Sequence, residues 1–213
     1  MARKSNKREF KKGKGKKVWA IIVDGDTEIW YFQMLKHHEK NLSINIKPDL
    51  PKKKKLQEQF ESVCQNAKDY DKVFWVIDFD TILKEDKQTK KGETSVVEAF
   101  KKYRKQLHED YENVTVLVNN PCLEFWFLLH FEETSKQFSE CESVEKLLKK
   151  YIPNYQKTQK FFKKSNQDIY KILKSDQEKA IQNAQKLGVW NEENLKAAKC
   201  EMYILLELLE IVK

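Results

Sequence analysis

Glycine and proline are scarce in this chain, at 5 and 4 of its 213 residues. An all-β fold with many tight turns needs more of both, so the shortage points to helices. Cysteine is sparse too. Cys64, Cys122, Cys141 and Cys200 lie far apart, with no CxxC pair and no Cys/His cluster. That spacing argues against a zinc site and fits thiols held in a reducing cytoplasm. VWAIIV, at 18–23, follows a basic stretch but has only six residues, too short for a signal core or a membrane span. The expected setting is cytoplasmic, with no membrane partner. GxxxxGK[ST], HExxH and GxSxG are all missing, which removes the common nucleotide-binding, zinc-protease and serine-hydrolase signatures.

Positive charge is plentiful. The formal net charge is +8, which suits a polyanionic partner but also suits simple solubility. Residues 1–17 hold nine Lys/Arg and one Glu. Such a block is either a solvated tail or an arm that contacts phosphates through Arg3, Lys4, Lys7, Arg8, Lys11 and Lys12. A second basic loop holds Lys52, Lys53, Lys54 and Lys55.

From 18 to 133, short apolar runs alternate with helical patterns, the mark of a parallel sheet covered by helices. Strands are expected at 18–23, 43–46, 72–77 and 114–118, and an apolar helix at 122–131. From 134 to 213 only helices are expected, as an extension packed on the same domain. Ser139 and Ser175, each three residues before a Glu, read as capping boxes, and Gly188 as a helix stop. Residues 157–164 form a basic stretch that holds Phe161 and Phe162.

Three of these strands end in polar turns. Ligands of parallel sheets gather at such carboxyl ends. Asp78-Phe79-Asp80 follows the clearest strand. In an extended segment its two carboxylates point the same way, and hard oxygens of this kind suit Mg²⁺ or Mn²⁺. Alternatively the motif is an ordinary strand-end turn. Asp24-Gly25-Asp26-Thr27-Glu28 follows the first strand. Asp26 is expected to cap the next helix, and Gly25 to permit a sharp turn and the close approach of a ligand. Capping does not explain Asp24, which precedes the glycine. Asp24 is therefore expected as metal ligand or proton-transfer group, with Glu28 as a secondary catalytic candidate. Asn119-Asn120-Pro121 either binds an anion or simply opens a helix. Glu124, inside a very apolar helix, needs a cationic or metal partner. His130 is expected to be a packed core histidine.

The segments VDGDTEIWYF (23–32), VIDFD (76–80) and NNPCLEFWFLLHF (119–131) together resemble the RloB-like family, within the wider Toprim-fold group of topoisomerases, primases and related nucleases. The resemblance implies a compact Toprim-like α/β sheet with flanking helices. It implies an acidic residue after the first strand as general acid/base, and a DxD motif that holds Mg²⁺. It also implies a place in prokaryotic defence or restriction-linked loci, beside an ATPase partner. One departure is that Asp24 stands where the wider group has Glu. The expected activity is a Mg²⁺-dependent nuclease on DNA or RNA, with Asp24, Asp78 and Asp80 at the metal. Two alternatives are a non-catalytic subunit of a defence ATPase and a nucleotidyl or phosphoryl transferase.

Overall fold

The computed structural model describes residues 17–23, 25–47, 55–90 and 92–211. Asp24, the arm residues Arg3, Lys4, Lys7, Arg8, Lys11 and Lys12, and the loop residues Lys52, Lys53 and Lys54 lie outside the described residues.

The fold is α/β. Strands β1 (Trp19–Ile22), β2 (Ile44–Lys47), β3 (Lys72–Asp78), β4 (Val114–Asn120) and β5 (Lys199–Cys200) form one sheet in the order β2-β1-β3-β4-β5. The first three contacts are parallel; β5 alone runs antiparallel, beside the end of β4. Alternate residues of each strand enter opposite layers. Ile21, Phe74 and Val76 face one core, whereas Ala20, Ile22, Val73, Trp75 and Ile77 face the other. This is the period-2 alternation of a pleated strand, here apolar on both faces because helices cover both.

The first layer holds α1 (Asp26–His38), α5 (Leu123–Leu129), α6 (Cys141–Leu148), α7 (Gln159–Phe162), α8 (Ile169–Lys174), α9 (Gln177–Leu187) and α10 (Met202–Leu208). The second holds α2 (Leu56–Asn66), α3 (Phe79–Lys87) and α4 (Val96–Asp110). Every residue of α5 is buried, as an apolar helix with no polar stripe must be. Each such large side chain contributes about 1.5–3 kcal/mol on burial. His130 sits at the end of this helix, 1% exposed, and burial depresses its pKa to about 4. It is the core histidine expected.

Several local expectations are corrected. Residues after 134 are not all helical: β5 returns to the sheet, where it gains the backbone partners that residues 199 and 200 lack in isolation. Helix α9 begins after Asp176, not at a Ser175 cap, because the Ser175 hydroxyl bonds Asp176 instead. Helix α6 begins after Glu140 and has no side-chain cap. Gly25, not Asp26, is the N-cap of α1; Asp26 is its exposed first residue. Pro121 follows a cis peptide bond and precedes the helix instead of opening it. Gly188 does end α9, at φ 69°. Cys122 and Cys141 are not separate thiols but form a disulfide, with Cα atoms 5.7 Å apart. They lie 19 positions apart in sequence, and the packing of α5 on α6 brings them together.

Candidate metal centre

In the strand order, β1 has β2 on one side and β3 on the other. The connection from β1 runs one way and that to β3 the other, so the crevice beyond their carboxyl ends is the topological switch point. A cavity of about 200 Å³ lies there. Gly25, Thr27, Glu28, Asp78, Thr81 and Lys157 contribute to its lining.

Glu28 stands in the first turn of α1, directly after β1, and is 7% exposed. Asp78 is the last residue of β3 and the N-cap of α3. The two carboxyl groups lie within hydrogen-bond reach of each other. Yet Glu28 Oε2 and Asp78 Oδ1 are buried and have no hydrogen-bond partner. Burial pushes the Glu28 pKa up to about 7; its contact with Asp78 opposes the rise, and the charge of Glu124 adds to it. Burial, then the charges of Glu28 and Glu124, holds Asp78 well above the usual carboxylate range. Two such groups share protons or a cation, because two uncompensated negative charges are unfavourable there.

The glycine of this motif is needed for space, not for its dihedrals. Gly25 has φ −108° and ψ 164°, extended values open to any residue. A Cβ at this position would run into Glu28 Oε2. The glycine therefore leaves room for the carboxylate to fold back over the helix start.

A third carboxylate, Glu124, lies behind the pair and is 1% exposed. The partner it required is Lys157, whose Nζ is 3.0 Å from Glu124 Oε1 and 2.9 Å from Glu145 Oε1. The Tyr155 hydroxyl donates to the same Glu124 oxygen at 2.8 Å. Burial raises the Glu124 pKa, and Lys157 and Tyr155 draw it back down. Burial alone would lower the pKa of Lys157, but Glu124 and Glu145 carry it upward, so the ammonium stays charged. Cys141 Sγ sits 2.9 Å from Glu124 Oε2. A disulfide sulfur has no proton to donate, so this contact becomes a hydrogen bond only in the thiol form.

Asp80 is not paired with Asp78 in the manner of an extended DxD. Helix α3 starts at Phe79, which turns Asp80 away from the i, i+2 alignment. Its Oδ2 accepts from Lys84 Nζ at 2.9 Å and from the Cys141 backbone N–H at 3.3 Å. Asp80 therefore clasps the start of α6 to α3. Asn120 is also structural: its Nδ2 donates to the carbonyls of Leu195 and Ala197, at 2.9 and 2.7 Å. Asn119 is the cross-strand partner of Asp78, and its buried Nδ2 has no hydrogen-bond partner. Asp26 is exposed. Lys55 is exposed at the start of α2.

Glu28 and Asp78, both candidates from the sequence, line one cavity, whereas Lys157 and Tyr155 were not among the candidates. Both lie about 30 residues beyond Glu124, in a stretch whose only signal was its basic charge.

The family model described as RloB-like protein matches residues 19–209. No curated protein and no solved structure matches this chain. The match spans nearly the whole chain, so the protein belongs to the RloB-like family.

Proposed function

We propose that this RloB-like chain is a divalent-metal-dependent nuclease, with Glu28 and Asp78 as its principal metal ligands. The observation that carries the reading is the pair of facing carboxylates at the β1/β3 switch point, each with one buried oxygen left unpartnered. The donor set is oxygen only, which fits Mg²⁺ or Mn²⁺ and not zinc. The raised pKa values fit as well, since a cation there would replace the shared protons. When bound, the metal supplies charge neutralisation at a phosphate and a more acidic water.

The chain's own groups account for the rest. Lys157 holds a permanent positive charge at the cavity, where a phosphoryl oxygen gains charge in the transition state. Glu124 and Glu145 fix that ammonium in place, and the Tyr155 hydroxyl in turn holds Glu124. Asp24, next to the glycine, remains a candidate ligand on sequence grounds. Asp80 serves as a positioning residue through Lys84 and the Cys141 backbone. A role in prokaryotic defence beside an ATPase belongs to the same reading and rests on the family resemblance.

The test combines cleavage with metal binding. Purified protein is incubated with single-stranded and duplex DNA and RNA in Mg²⁺, Mn²⁺ or EDTA. Its melting temperature is measured in the same buffers. Cleavage should need the metal. Glu28→Gln and Asp78→Asn should abolish both cleavage and the metal-induced rise in melting temperature, while the variants stay folded. Unchanged metal-dependent cleavage in folded Asp78→Asn would overturn the assignment.

A further inference from the structure

We propose that the lysine-rich face formed by α6, α7 and α8 is the track along which a nucleic-acid backbone reaches the Glu28–Asp78 cavity. The proposal rests on the nuclease reading but concerns binding alone. Residues 146–174 contain nine lysines and a single carboxylate, Asp168. Asp168 is already engaged: it accepts from the Lys171 backbone N–H at 3.1 Å and pairs with His38 at 2.9 Å. Lys174 pairs with Glu39 at 2.9 Å. Among the described residues, Lys149, Lys150, Lys160, Lys163 and Lys164 have no ion pair. Four of them are exposed and Lys163 is partly so.

A solvated face would account for lysines anywhere on the surface. Their anchorage beside the site argues for more. Helix α7 is held against α1 by Phe162, whose ring centroid lies 5.7 Å from that of Trp30, two residues beyond Glu28. Phe161 and Phe162 also pack on Tyr155, the residue that bonds Glu124. Lys160 therefore rides on a turn fixed to α1, the helix that carries Glu28. Lys157, three residues earlier, contributes to the cavity itself. Among the described residues that line the cavity, Lys157 is the one cation a phosphate could meet. Exposed, uncompensated lysines on the same stretch of chain as Lys157 would hold phosphates without reading sequence. The ligand chemistry is a phosphodiester backbone, and RNA or DNA could supply it.

The experiment measures binding of fluorescein-labelled 30-nucleotide RNA, and DNA of matching sequence, by anisotropy. EDTA is present throughout, and KCl is varied from 50 to 300 mM. Three proteins are compared: the full chain, K160E/K164E, and K102E/K105E. The last makes the same charge change on α4, in the opposite layer. K160E/K164E should weaken binding to the preferred strand. It should also reduce the slope of log affinity against log salt by about 1.4, the value for two lost single-strand contacts. K102E/K105E should leave the slope unchanged. If charge reversal impairs folding, K160Q/K164Q should give the same loss of slope. Equal effects of the two charge reversals, an unchanged slope in K160E/K164E, or no binding of either strand by the full chain would overturn the proposal. Because EDTA removes hydrolysis from the readout, a chain that binds by this face but never cuts would sink the nuclease reading alone.

Discussion

At the scale of the residue, the decisive feature is the proton inventory of Glu28 and Asp78. Both bind protons more tightly in the folded chain than in the unfolded one. Their contribution to stability is therefore fully present below the ordinary carboxylate range. It is lost as pH rises through the folded value, about 7 for Glu28. In metal-free buffer, Asp78→Asn should raise the melting temperature at pH 8 and do so much less at pH 5. His130 contributes in the opposite sense, since its depressed pKa costs stability as pH falls below the ordinary histidine value. Comparing the variant with the wild type at each pH cancels that term. A melting difference that does not depend on pH would show that the pair is not proton-loaded.

Lys157 gives the second residue-scale prediction. Lys157→Met leaves Glu124 buried without its cation. Allowing for the exposure of Lys157, 38% of its side chain, the loss should be about 1–3 kcal/mol. Adding Glu124→Gln should restore much of it, because the uncompensated charge is then gone. The double variant should stay about 100-fold slower in cleavage, as expected when one transition-state donor is removed. Full activity in the folded double variant would reduce Lys157 to a neutraliser of Glu124.

At the scale of the element, the start of α6 ties the site together. Its Cys141 is bonded to Cys122, just before α5, and its N–H holds Asp80 of α3. Cross-linking residues 19 apart stabilises a fold by about 3 kcal/mol. Denaturation of the oxidised protein with and without a phosphine reductant should show a loss of about that size. Cys122→Ser with Cys141→Ser should melt like the reduced form and be insensitive to reductant. No effect of reductant on the oxidised wild type would mean that packing of α5 on α6 alone holds this corner. Asp80→Asn should act here too, lowering the melting temperature by loosening the α3–α6 clasp.

At the scale of the whole molecule, function depends on where charge is placed. Residues 1–17 and 146–174 each hold nine Lys/Arg against one carboxylate, whereas the rest of the chain is net acidic and Glu28 and Asp78 line the cavity. Deleting residues 1–16 should weaken nucleic-acid binding and flatten its salt dependence, because fewer counterions are released. Equal salt slopes for the truncated and full chains would make that segment a solvated tail. Among the described residues no helix is long and apolar enough to cross a membrane.

The sequence alone determined the alternation of strands and helices, because apolar runs of 4–7 residues with polar ends have few other uses in so glycine-poor a chain. It also put Asp78 at a strand end, Glu28 in a first helical turn and His130 in the core. These are local properties, set by period and by neighbours a few residues away. Tertiary structure decided the rest. The extended reading of Asp78-Phe79-Asp80 failed because α3 begins within the motif and the Asp80 partners, Lys84 and Cys141, draw it aside. Gly25 read as a turn former, but its role is to make room for a carboxylate that only folding brings back over it. Lys157, Tyr155 and the Cys122–Cys141 bond were invisible because each joins residues that lie 19 or more positions apart. No periodicity encodes such contacts. They follow from the packing of α5, α6 and α7 on the same face of the sheet, where burying Glu124 required a cation that the chain supplies from 33 residues away.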